Sequence, residues 1–309
     1  MEIIIIMKFE IEIKAILSGV DESVINNLDI GNNYAITKDS LTNSTLYSSF
    51  DYTVLGVRRI YEDSKINDNL NVALLSKTFD IEISSNNCED PINKLHNIEE
   101  QEINYVDNKM RLVRLYSENG FNIKEMLFNC YIINGCERNS YLTSKIPFPD
   151  KIHSEIKKLH IENKNEINMF ICSFNTDNLN YSKNLLDKAL FLYDQSYYAP
   201  VLTLRFMTCI IGLETLLVDG NNELSYKLSR NCSMLLSNNI DEYKEISAKV
   251  KKMYDKRSKY VHNADVKNLS FQDELDARDI LRRTIRKVCL SNTEKSKLLK
   301  QLDLKGYIN

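Results

Sequence analysis

The sequence predicts an α+β protein, with an N-terminal antiparallel β-rich domain followed by a C-terminal all-α helical bundle. Three observations carry this. The apolar period changes from two to about 3.6 residues across Ile146-Pro147-Phe148-Pro149-Asp150, where two prolines exclude both helix interior and central strand. The sign of the charge reverses at the same place. Residues 151–309 carry 26 Lys and Arg against 20 Asp and Glu, whereas the first 150 carry 14 against 23. Gly (8) and Pro (4) are scarce, which weighs against a loop-heavy all-β chain. The expected organisation is a β-rich sensor or regulatory domain over 1–147, a connector over 148–178, a bundle over 179–292 and a C-terminal helix or tail over 293–309.

Lys8–Lys14 alternates strictly and puts Phe9, Ile11 and Ile13 on one face of a strand. Further strands are expected at Tyr52–Val57, Asn71–Leu75, Phe79–Ser84, Met110–Tyr116 and Met126–Ile133, with turns at Gly31-Asn32-Asn33, Asn67-Asp68-Asn69 and Asn119-Gly120. Asn119-Gly120 predicts a hairpin pairing Met110–Tyr116 with Phe121–Phe128. The expected architecture is a β-sandwich or curled sheet.

Past the prolines, Ile152, Ile156 and Leu159 fit a short helix. Leu185, Leu186, Ala189, Leu190 and Tyr193 form a stripe on a helix that Asp177 could cap. Val201–Val218 is apolar nearly all round, as a central bundle helix is. Leu224, Leu228, Cys232, Leu235 and Leu236 make the next stripe, and Ile246, Val250, Met253, Tyr254 and Val261 another. Ser270 is placed to cap a helix bearing Leu275, Leu281, Ile285 and Val288, and Lys295–Leu302 forms a last short one.

Composition excludes several function classes. The apolar run Ile3–Met7 is far below the ~20 residues of a membrane span and lacks the basic start and cleavage site of a signal peptide. A cytoplasmic protein with no membrane partner is expected. Seven scattered cysteines without a CxxC read as reduced thiols, with Cys172, Cys209, Cys232 and Cys289 in apolar stretches. Four histidines form no HExxH or HxH pair, so neither metal nor cofactor is expected. His153 and His160 would share a helix face, and His96 falls in a polar loop. Tyr193, Tyr197 and Tyr198 fit bundle core or dimer contact better than base stacking.

The segment Tyr254-Asp255-Lys256-Arg257-Ser258-Lys259-Tyr260-Val261-His262-Asn263 is the most informative. It holds an Arg-x4-His pair amid Lys249, Lys251, Lys252, Lys256 and Lys259. A five-residue step on an ideal helix turns about 500°, leaving the two side chains roughly 140° apart. They converge on one ligand only if the helix ends between them. Asn263 is a reasonable terminator, which would leave Arg257 in the last turn and His262 just beyond it. An Arg fork grips a phosphate and stabilises its growing charge. An imidazole, with an ordinary pKa of about 6.5, can exchange a proton with the 2′-hydroxyl or the leaving oxygen. By spacing alone, the pair fits an exposed basic helix end whose His caps carbonyls better than a catalytic site.

The surroundings add to this. Tyr-Asp-Lys-Arg-Ser-Lys-Tyr-Val-His at 254–262 resembles the signature of the HEPN superfamily, most closely its Apea-like branch. Upstream, Ile210-Ile211-Gly212-Leu213-Glu214-Thr215-Leu216-Leu217 resembles that branch's Leu-Glu-x-Leu-Leu helix, and Leu228-Ser229-Arg230 between them also fits. The resemblance covers roughly residues 180–290. It implies a bundle that dimerises and a metal-independent endoribonuclease of a prokaryotic antiviral, abortive-infection or toxin-type system. It further implies Arg257 and His262 as the catalytic pair, with Ser258 orienting the site. Asn263 stands where the branch usually has Gly. Ala264 stands where some HEPN toxins carry a modifiable Tyr.

Glu214, in a strongly apolar helix, needs a cationic partner such as Arg257 or Arg230. Lys252, Lys256 and Lys259 are candidates to contact RNA, as are Arg282 and Arg286, which with Arg278, Arg283 and Lys287 recur at helical spacing. The expected partners are RNA, a second copy of the chain through the helical domain, and a phage-derived trigger or antitoxin at the N-terminal domain. The alternative is a non-catalytic RNA- or protein-binding HEPN module acting as a dimeric regulator.

Overall fold

The computed structural model describes residues 5–40, 66, 71–85, 89–147, 157–174, 182–220, 222–263 and 269–305. The strand expected at Tyr52–Val57, the turn at 67–69, the helix residues Ile152 and Ile156, His153, Cys88, Asp177 and Ala264 lie outside them. The chain divides into two compact units, Met1–Phe174 and Asn175–Asn309, and the protein is α+β as its two periodicities require.

The first unit is built on one antiparallel sheet of order β2-β3-β1-β4-β5, formed by β1 (Ile5–Ser18), β2 (Ala35–Ser40), β3 (Asn71–Ser85), β4 (Asn122–Asn134) and β5 (Glu137–Pro147). The alternation read in the sequence makes β1 the centre. Phe9, Ile11, Ile13, Ala15 and Leu17 have no exposed surface, while Lys8, Glu10, Glu12 and Lys14 face the other way. The layer over the apolar face is a helix, α1 (Glu89–Tyr116), through Leu95, Val106, Met110 and Val113. Neither a second sheet nor a sandwich is found among the described residues.

This corrects the reading of Met110–Tyr116, which is the end of α1. Met110 and Val113 continue the 3.6-residue stripe from Leu95 and Val106, and that longer pattern wins over local β propensity. Asn119-Gly120 is accordingly a helix-to-strand junction. Asn119 donates to Val113 O at 3.0 Å and accepts from the Phe121 amide at 2.9 Å. The hairpin belongs to the second Asn-Gly, Asn134-Gly135. Asn134 pairs with Glu137, and Gly135 takes the positive φ (+64°) that a Gly-first two-residue turn demands.

The expected connector is partly structured within this unit. Leu159 sits in an isolated bridge with Val20 rather than in a helix, and α2 (Lys164–Ser173) buries Ile167 and Ile171 in the same core. The first unit therefore extends past residue 147.

The second unit comprises α3 (Lys183–Tyr198), α4 (Leu202–Leu217), α5 (Leu224–Leu236), α6 (Ile240–Asn263), α7 (Phe271–Ser291) and α8 (Lys295–Lys305). The N-cap of α3 is Ser182. α4 is the hub, packing on α3, α5, α6, α7 and α8. It buries Phe206, Ile210, Leu213, Leu216 and Leu217, each worth about 1.5–3 kcal/mol. Gly212 permits its close approach to α7, since a Cβ there would lie 2.8 Å from Leu281 Cδ2. Lys295 donates to the carbonyls of Thr215 and Val218 at 3.0 and 2.7 Å, closing the C-terminus of α4. Ser270 caps α7 in a reciprocal box with Asp273.

Candidate functional site

The site is organised by α6, whose helical period sorts its residues onto two faces. Ile246, Val250, Met253 and Tyr254 are buried and lie within about 60° of Arg257 around the axis. Arg257 thus extends the buried stripe, and Val261 beyond it is half exposed. Lys244, Lys251 and Asp255 are exposed and within about 20° of His262. His262 thus extends the outward lysine-bearing face. The helix is continuous through both residues and ends at Asn263. This corrects the expectation that His262 lies beyond the helix. His262 and Arg257 both lie within α6, so the two side chains diverge within a single chain.

Arg257 meets Glu214 in the last turn of α4, with Nη2 and Oε1 3.6 Å apart and each side chain about one-fifth exposed. The carboxylate predicted to need a cation has one. Arg230, the other named partner, instead pairs with Asp303 and donates to the Leu302 and Asp303 carbonyls at 3.3 and 3.0 Å. The contact to Arg257 is an ion pair but too long for a hydrogen bond. Glu214 Oε1 and Arg257 Nε are both shielded from solvent without a hydrogen-bond partner. The Tyr254 ring lies 5.5 Å from the guanidinium carbon, within cation–π range. Burial, then the charge of Glu214, raises the Tyr254 phenol above its usual range against the opposing charge of Arg257. Tyr254 therefore remains a donor across the neutral range. The sequence reading gave it no role beyond the apolar stripe, although its three-residue spacing from Arg257 already put the two on one face.

The remaining cations divide. Lys252 and Lys259 are exposed. Lys256 is tied to Asp273 at 2.5 Å and Arg282 to Asp279 at 2.6 Å, with side-chain exposures of only 19% and 12%. Neither Lys256 nor Arg282 is the open cation expected of them. Arg286 and Ser258 are half-buried. Arg278 has no exposed surface, being paired with Glu274 and stacked 4.4 Å from the Tyr197 ring. A groove of about 210 Å³ between α6 and α7 is lined by Glu242, Glu245, Asp276 and Asp279 against Lys249 and Arg283. Four carboxylates against two cations make it a poor path for a polyanion.

Tyr193 and Tyr197 are core, their hydroxyls 3.0 Å apart. His160 lies outside any helix and bonds Asp21 at 2.7 Å, and His96 lies within α1 beside Glu99 at 3.0 Å. Cys209 and Cys232 are buried, Cys289 is half-buried and Cys172 is exposed, contrary to its apolar setting in the sequence. Burial pushes the Cys232 and Cys289 thiols up to about 12. Among the described residues no group of three or more His, Cys, Asp or Glu could hold a metal ion, and no helix is long and apolar enough to cross a membrane.

No family model, curated protein or solved structure matches this chain. The HEPN resemblance therefore rests on its motif residues.

Proposed function

We propose that the protein is a metal-independent endoribonuclease of a cytoplasmic, prokaryotic defence or toxin-type system, with Arg257 and His262 as its catalytic pair. The observation that carries the reading is Arg257 itself, held at the rim of the bundle by a carboxylate too distant to saturate it. An arginine with unfilled donors suits a phosphodiester. His262 accepts the proton of a ribose 2′-hydroxyl, the 2′-oxygen attacks the adjacent phosphorus, and the bond to the 5′-oxygen breaks. Arg257 stabilises the charge on the non-bridging oxygens. The 5′-oxygen takes a proton from solvent, leaving a 2′,3′-cyclic phosphate and a 5′-hydroxyl.

Because one α6 turns Arg257 and His262 about 140° apart, the working pair comes from two copies of the chain joined through their helical units. The first unit takes the trigger or antitoxin. The same divergence favours the competing reading, a non-catalytic RNA-binding dimer. Mixing separates them. Arg257→Ala and His262→Ala are each inactive alone, and their mixture regains cleavage in EDTA. A wild-type chain that binds RNA without cutting it overturns the nuclease reading. A mixture that stays dead beside an active wild type overturns the two-chain site.

A further inference from the structure

We propose that the outward face of α4 is the surface on which a second copy of the chain docks. From Ala189 to Leu213 the chain carries only two charged residues, Asp194 and Arg205, and both are buried. At its overall 27% charge, a stretch of that length would hold about seven. The stretch is not all core. Phe191 on the adjoining α3, Val201 and Leu204 are 57%, 51% and 46% exposed. Along α4, Leu204, Met207, Thr208, Ile211 and Thr215 are all partly open. Their i, i+3, i+4, i+7 and i+11 spacing sets them within about 100° of one another around the axis. The two threonines demand no polar partner, because Thr208 donates to Arg205 O and Thr215 to Ile211 O, each at 2.8 Å. A lone exposed leucine is ordinary, but a helix face kept free of charge over three turns marks an interface.

What covers this face follows from its chemistry. RNA needs cations for its phosphates, and a membrane-surface helix flanks its apolar side with Lys and Arg. The stretch offers neither. A face without charge meets its own copy with no like-charge repulsion, and an isologous dimer requires such self-complementarity. The face also runs into the site. The last turn of α4 carries Glu214, paired with Arg257 at 3.6 Å. On the nuclease reading that site is incomplete in one chain, since Arg257 and His262 diverge on α6. The inference rests on that reading for its purpose, but not for the surface itself.

The test is the mass of the full chain in solution by sedimentation equilibrium. The wild type should weigh twice 35.9 kDa. Leu204→Glu and Met207→Lys should each raise the dimer dissociation constant about hundredfold or more, because every dimer would then bury two unpaired charges. Helix content by circular dichroism should not change. Tyr226→Glu, at an exposed position on α5, should leave the dimer intact. A monomeric wild type, dimers that survive both α4 variants, or equal dissociation by Tyr226→Glu overturns the proposal. So does a wild type that binds phosphatidylcholine vesicles through Leu204 in place of a second copy. A dimer that Leu204→Glu separates, in a chain that cuts no RNA, upholds the surface and sinks the nuclease reading. RNA cleavage by a monomer does the reverse, so the two failures are told apart.

Discussion

Glu274 and Arg278 lie one turn apart on α7 with no exposed side-chain surface, the guanidinium stacked on Tyr197. Glu214 and Arg257 come from two helices, keep about one-fifth of their surface and stand 3.6 Å apart. Both are Glu–Arg pairs backed by a tyrosine ring. The first is sealed in the bundle, where the desolvation of two charges is offset only while both are present. The second is partly open, with about one-fifth of each side chain exposed. On the proposed reading, burial separates a pair that holds the fold from a pair that does chemistry.

The sharpest way to break this comparison is to remove one sealed partner. Arg278→Ala strands Glu274 and should cost about 3–5 kcal/mol in urea unfolding, whereas Glu274→Leu with Arg278→Met should return close to wild type. A mild single variant would place this pair in the same class as the open one. At the open pair, Arg257→Ala should lower RNA cleavage by about 10²–10³-fold while costing less stability than Arg278→Ala, because this pair keeps about one-fifth of its side-chain surface exposed. A larger stability loss would assign Arg257 to the fold.

The Asp273 cap gives a smaller, pH-dependent effect. Burial pushes its carboxyl up, but the bonds from Lys256 and Ser270 outweigh this and hold it below the usual range. Its contribution is therefore present above the ordinary carboxylate pKa and is lost as pH falls through the lowered folded value. Asp273→Asn should cost about 1 kcal/mol at neutral pH and flatten acid unfolding in that window. Smallest of all, Lys252→Glu and Lys259→Glu should each weaken RNA binding less than tenfold and reduce the salt slope by about one.

What could be read in advance was what local pattern determines. The alternation of β1 fixed its buried face, Ser270 with Asp273 marked a helix start, and an isolated Glu214 in an apolar helix demanded a cation that α6 provides. Met110–Tyr116 misled because seven residues carry both periods, and only continuity with Leu95 and Val106 decides between them. Asn263 suited a helix end, but a terminator's identity does not reveal whether the turn before it has already unwound. Glu274–Arg278 escaped notice because an exposed i,i+4 pair has the same sequence as a buried one. In the first unit, the burial of Lys77 against Glu102 at 2.5 Å, with Tyr34 on the other oxygen at 2.8 Å, depends on which faces meet. No spacing along the chain encodes that.

The most direct measurement of the central claim is cleavage of total RNA in EDTA by the wild-type chain beside Arg257→Ala and His262→Ala, with end-group analysis of the products. The account predicts fragments bearing 2′,3′-cyclic or 3′-phosphate ends from the wild type and intact RNA from either folded variant. Equal cleavage by wild type and His262→Ala, or intact RNA in all three lanes, would contradict it.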